Sequence, residues 1–208
     1  SRRRHTRSFH VTGVQTCALP IFDLNFFRIN NTRIKKSKPT ILLTSCIHGN
    51  EPLATSTMMW HIGTMLKKYN DDSAIKELLD SRDIYFVPVV SPDSFPHSRY
   101  VDGVDPNRNF PTSINKEKQS IKPVKALQDF FYKIKPHAVV SGHTWGRVFL
   151  MPYGDKMENS EHHQQYTNIL GRMAGLSGYR YMRVCDLYKG NGVDRKSTRL
   201  NSSHVKRS

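Results

Sequence analysis

Short apolar runs punctuate the chain, and between them apolar residues recur every three or four positions. Ile41 to Ile47 is one such run, preceded by Pro39 and followed by Gly49-Asn50. It predicts a buried strand over 41–47 that ends in a tight turn. Asp83 to Val90 predicts a second strand, His137 to His143 a third, and 147–151 and 179–184 two more. Helical spacing runs through Leu53, Met58, Met59, Ile62, Met65 and Leu66, predicting a helix over 51–68 whose Met and Trp60 side chains pack inward. Asp71-Asp72-Ser73 reads as the cap of a short helix over 73–80. Further helices are expected over 121–134, with Val124, Leu127, Phe130 and Phe131 on one side, and over 159–174. Phe26 to Ile34 reads as an edge hairpin turning at Asn30-Asn31. Residues 91–120, rich in Pro, Asn, Asp and Gly, form a loop long enough to suggest a function. Strands alternating with helices predict an α/β fold with a mixed, largely parallel central sheet and helices on both faces.

Two of the predicted strands deliver a histidine at their C-terminal ends, His48 and His143. That end of the strands is where ligands bind in open α/β sheets. Glu51 follows His48 by three residues across a tight turn, so the two can face one point. Two imidazoles and a carboxylate make an open, catalytic type of zinc site. A lone His-x-x-Glu is a weak signal; the second strand-end histidine strengthens it. The other histidines read more plainly. His61 is expected on a helix surface, His97 in the long loop, His137 solvated at a strand start, and His162-His163 on a polar helix face.

Composition changes the picture mainly at the ends. The formal charge of +15 over 208 residues would suggest a nucleic-acid partner. Yet Arg7–Ile21 and Asp194–Ser208, 15 residues each, can be back-translated into reverse complements of one another. Asp194 as GAT pairs with Ile21 as ATC, and Ser208 as TCT pairs with Arg7 as AGA. The strings VTGVQTCALPI and DRKSTRLNSSH also resemble translated sequencing adapter. Residues 1–21 and 194–208 are therefore expected to be adapter-derived and without fixed structure, leaving 22–193 as the coding domain. That domain holds 23 basic and 16 acidic residues, a net +7, and the case for a nucleic-acid arm falls away. Cys46 and Cys185 remain, Cys46 reading as a small buried residue inside its strand. There is no apolar run of membrane-spanning length.

The motifs His48-Gly49-Asn50-Glu51-Pro52, Ser91-Pro92-Asp93-Ser94, Gly103-Val104-Asp105-Pro106-Asn107-Arg108-Asn109-Phe110-Pro111, Ser141-Gly142-His143-Thr144 and Met151-Pro152-Tyr153-Gly154 occur in that order. In this the chain resembles the zinc carboxypeptidase (metallocarboxypeptidase) family over nearly all of 22–193. The resemblance implies one zinc ion on His48, Glu51 and His143. It implies a substrate carboxylate held by Asn107 and Arg108, an oxyanion-stabilising Arg99, a mobile tyrosine at Tyr188, and Thr144 beside the substrate; Trp145 could line the site. The expected partner is a peptide with a free C-terminal carboxylate, with neither nucleic acid nor membrane. Secretion or a periplasmic location is the family's habit. The family's general base is a glutamate on a later strand, beyond Val193, which leads to the expectation of a C-terminally truncated domain that binds zinc but hydrolyses peptides poorly or not at all. The alternatives are a zinc deacylase of the succinylglutamate desuccinylase–aspartoacylase type, and a non-catalytic carboxypeptidase-like binding module.

Overall fold

Branched and aromatic residues drive the central strands, and main-chain pairing orders them. A computed structural model describes residues 24–111, 120–144, 146–154 and 157–187, together with the backbone of three short strands at 8–11, 14–18 and 204–205. In chain order the elements are β1 (Ser8–Val11), β2 (Val14–Ala18), β3 (Phe27–Asn31), β4 (Thr40–Ser45), α1 (Pro52–Lys68), α2 (Ser73–Ser81), β5 (Asp83–Val87), α3 (Lys122–Ile134), β6 (Ala138–Gly142), β7 (Val148–Met151), α4 (His163–Ser177), β8 (Arg180–Arg183), α5 (Val184–Leu187) and β9 (His204–Val205). Two short 3-10 turns, Pro92–Ser94 and Pro106–Arg108, lie in the long loop.

One sheet has the order β1-β2-β3-β5-β4-β6-β9, and β7 and β8 form a separate parallel pair. β4 runs parallel to both β5 and β6, while the other contacts of the large sheet are antiparallel. The sheet is thus mixed, with a parallel centre. Along β4 the side chains alternate between two cores. Leu42 joins Val87, Val139, Val124, Leu127 and Phe130 under α3. Ile41 and Leu43 join Ile84, Phe86, Met58, Ile62 and Leu79 under α1 and α2. Helices therefore cover both faces, as a parallel centre requires. β1, β2 and β9 lie in the segments set apart in the sequence. They join the sheet through antiparallel main-chain pairing. Among the described residues no helix is long and apolar enough to cross a membrane.

Three expectations are corrected. Asn30 and Asn31 do not turn a hairpin; both are buried within the single strand β3. The Asn30 amide donates to Asp83, and the Asn31 amide donates to the Tyr69 hydroxyl and to Asp80. Asparagine in a strand is tolerated because each of the two amide nitrogens reaches a tertiary acceptor. On α1 only Met58 and Ile62 are buried, whereas Leu53, Met59 and Trp60 are exposed. A single sheet face can cover only one stripe of that helix. His137 is not simply solvated, since its Nδ1 accepts from the Thr40 amide at 3.0 Å and its own amide donates to the Thr40 carbonyl. That pair sets the β4–β6 register at the end remote from the histidines.

Asp80 also accepts from the Tyr69 hydroxyl at 2.6 Å and pairs with Lys76. Asp80→Ala leaves the buried Asn31 amide and Tyr69 hydroxyl without this acceptor. It is expected to cost about 1–3 kcal/mol, measured as a lower urea midpoint at unchanged slope. A midpoint equal to the parent's would contradict this account of β3.

Candidate metal centre

The site is built at the ends of β4 and β6. Ser45 and Gly142 are direct neighbours across the parallel pair, so the two strands stop level with each other. Beyond Ser45 the chain turns at once. Cys46 adopts a left-handed backbone with φ of 51°, just past the strand rather than inside it. Its side chain is buried, and its thiol donates to the Gly49 carbonyl. Glu51 is the residue preceding α1, with Pro52 in the first helical turn. Its side chain does not cap the helix, because it is committed elsewhere.

The Glu51 carboxylate lies between two imidazoles. His48 Nδ1 is 3.0 Å from Oε1, His143 Nδ1 is 2.9 Å from Oε2, and the Thr144 amide donates to Oε2 at 3.3 Å. The histidine rings are 5.2 Å apart. One ligand atom from each of His48, Glu51 and His143 lies within 4.8 Å of the others, and among the described residues this is the one such group. The His162 ring lies 3.5 Å from Glu161. His48 and Glu51 are buried, while the His143 side chain is 29% exposed. The cluster is therefore open on the His143 side. Two Nδ1 atoms and a carboxylate facing one point are a donor set that suits zinc.

Asp105 supports the cluster from behind. Its Oδ1 lies 3.1 Å from His48 Nε2 and accepts from the Asn107 amide at 2.8 Å. Its Oδ2 accepts from Arg99 Nε and Nη2, at 3.0 and 2.8 Å. Burial acts to raise the Asp105 pKa, but His48 and Arg99 outweigh it and hold the carboxyl well below its usual range. For Glu51, burial likewise acts upward, and hydrogen bonds from His143 and His48 bring the group down to about 2. His48 is the mirror case. Burial lowers its pKa, but the carboxylates of Asp105 and Glu51 raise it by more. Both ring nitrogens of His48 thus face carboxylate oxygens.

A sequence model of the family described as Zinc carboxypeptidase matches residues 23–193. The chain belongs to that family. Carboxypeptidase A2 of Rattus norvegicus is 28% identical over 198 residues, covering 74% of this chain and 46% of the relative. Carboxypeptidase B of the same species is 24% identical over 196 residues, covering 76% and 47%. The chain spans about half the length of the curated relatives it matches. Among solved structures, thrombin activatable fibrinolysis inhibitor superposes with a TM-score of 0.70 at 18% identity, over 87% of this chain and 54% of that one. Carboxypeptidase A from Helicoverpa armigera gives 0.65 at 17%, over 86% and 54%. At those identities the superpositions show the fold alone.

In this zinc carboxypeptidase chain the three expected ligands come together. Arg99 stands next to them, tied to Asp105. Asn107 and Arg108 lie two and three residues beyond Asp105 in the 3-10 turn that it caps, and Arg108 Nη1 donates to the Asn107 carbonyl at 3.2 Å. Thr144 meets the cluster through its backbone amide. Tyr188 and Trp145 lie outside the described residues.

The sequence motif that contains Asp105 and Asn109 assigns neither a role. Asp105 could have been found as the capping residue ahead of Pro106. Buried Asn109 accepts from the Ile121 amide at 2.6 Å, and the Phe110 side chain is fully buried in the core beneath α3. Together they pin the far end of the long loop.

Proposed function

We propose that this chain carries the metal-binding part of an exopeptidase that removes the C-terminal residue of a peptide, with zinc held by His48 Nδ1, Glu51 and His143 Nδ1. The observation that supports this most is the meeting of those three groups across two strand ends. Zinc bound there polarises a carbonyl and lowers the pKa of bound water toward 7. Asp105 fixes the tautomer of His48 by holding Nε2–H, which leaves Nδ1 for the metal. Arg108 and Asn107 are assigned to the terminal carboxylate of the substrate, for which a guanidinium fork is suited. Arg99 is assigned to the negative charge that develops on the scissile carbonyl oxygen. Thr144 is assigned to the wall of the substrate site, and Tyr188 to closure over the bound peptide. Glu51 and Asp105 are engaged with the histidines and with Arg99, so neither is placed to take a proton from water. The general base is assigned to a carboxylate outside the described residues.

The test uses the chain as it is, loaded with one equivalent of zinc. It is expected to bind the metal stoichiometrically and to release the C-terminal amino acid from a blocked dipeptide. Among the described residues no carboxylate is placed as the base, and turnover without one would run about 10²–10⁴-fold below that of a relative that has it. Release of an acyl group from an N-acyl amino acid, in place of a C-terminal residue from the dipeptide, would favour the deacylase alternative. Failure to bind zinc at all would remove the proposal.

A further inference from the structure

The turn that presents His48 is not held by β4. After Ser45 the left-handed Cys46 takes the backbone out of line, and the next residues dock on the segment that follows β5. The Val90 and Ser91 amides donate to the carbonyls of Ser45 and Cys46, each at 3.1 Å. The Ser91 hydroxyl donates to the carbonyl of Ile47 at 2.7 Å, one peptide before the ligand. Ser91 is completely buried. Its own carbonyl is braced by the amide and hydroxyl of Ser94, at 3.3 and 3.2 Å. The Asn50 amide donates to the Ser98 carbonyl at 3.0 Å. Segment 90–98 thus follows the ligand-bearing turn step by step, and then continues into Arg99 and Asp105, which reach the far nitrogen of His48.

From this geometry we infer that Ser91 is a positioning residue for the metal. Its hydroxyl fixes the peptide that aims His48 Nδ1 toward Glu51 and His143. This rests on the zinc reading proposed above. A buried side chain whose one hydroxyl lands on the main chain beside a ligand does more than fill space. Without that bond the Ile47–His48 peptide can rotate, and the three donor atoms no longer share one point at rest. Metal binding must then restore the arrangement, and affinity falls.

The experiment measures zinc affinity by competition with a chromophoric chelator for the parent, Ser91→Ala, Ser91→Thr and Ile84→Val. The last is a core substitution at the opposite end of β5 that lowers stability without touching the turn. Ser91→Ala is expected to weaken zinc binding about tenfold, the lower end for supporting partners of metal ligands. Ser91→Thr keeps the hydroxyl and is expected to stay within about threefold of the parent by the same reasoning, and Ile84→Val to match the parent. Parent-like affinity in Ser91→Ala overturns the inference, as does an equal loss in Ile84→Val. If Ser91→Ala does not fold, a tenfold loss in folded Ser91→Thr overturns it, and retained affinity there supports it. A parent that binds no zinc defeats the metal reading itself, an outcome distinct from a parent that binds and a variant that binds equally well.

Discussion

Glu51→Gln is expected to lower zinc affinity about 1000-fold, since one of three ligands carries on the order of 4 kcal/mol of such a site's binding free energy. The substitution keeps size and shape, so the metal-free fold should survive it. The same variant tests the charge network through pH. The folded-state pKa of Glu51, about 2, lies below the 4.5 of the free side chain. The folded chain therefore holds that proton less readily than the unfolded chain. The resulting stabilisation is complete above about pH 4.5 and is lost as the pH falls toward 2. For a carboxylate only 6% exposed, a depression of that size corresponds to a stabilisation on the order of 3 kcal/mol.

His48 has the opposite sign. Its pKa is raised above 6.5, so its contribution is complete below pH 6.5 and is lost as the pH rises through the raised value. Stability of the metal-free chain from this cluster should peak between about pH 4.5 and 6.5. Urea midpoints should fall on both sides of that window in the parent, and in Glu51→Gln the acid limb should shrink to the part that Asp105 carries. Zinc must displace the proton from His48 Nδ1, so affinity should climb as the pH rises through the His48 pKa. A flat profile in the parent would contradict the network.

Gly49→Ala is the second large effect. A Cβ built on Gly49 would stand 2.3 Å from both the carbonyl carbon and the carbonyl oxygen of Ser94, and 2.5 Å from its hydroxyl. Two of those atoms are backbone, so the clash cannot be relieved by rotating a side chain. One of the two packed segments must move, at a cost of about 3 kcal/mol. For a domain of this size that is roughly a 10 °C lower melting temperature. The movement separates the turn from segment 90–98, so zinc affinity should fall as well, at least as far as in Ser91→Ala. Thermal melting by circular dichroism, with zinc titration of the folded variant, checks both. A variant with parent-like melting and affinity would show that the close approach at Gly49 is not needed.

Much of this was legible along the chain. The apolar runs at 41–47 and 137–143 and the amphipathic spacing of 121–134 each became an element within a few residues of the expected bounds. Local sequence is informative there because burial of a periodic face dominates the energy of a strand or helix. It failed at Asn30-Asn31, where turn-favouring residues lie in a strand. Their acceptors, Asp83, Tyr69 and Asp80, come from distant parts of the chain. It failed again on α1, where the apolar pattern does not say which stripe the sheet will cover.

By itself the sequence determined which side chains could bind a metal, because His48, Glu51 and His143 are set by residue type, by the tight spacing of the first two, and by their place at the ends of apolar runs. Only the tertiary structure decided that they meet. That depends on β4 and β6 being parallel neighbours in a register that ends both at Ser45 and Gly142, a pairing between residues almost a hundred positions apart. It also decided what holds them. Asp105 reaches the ring of His48 and Ser91 reaches the peptide before it, from a loop whose composition gives no hint of where it will fold back. Hydrogen bonds between distant segments depend on how the whole chain packs, and no local propensity encodes that.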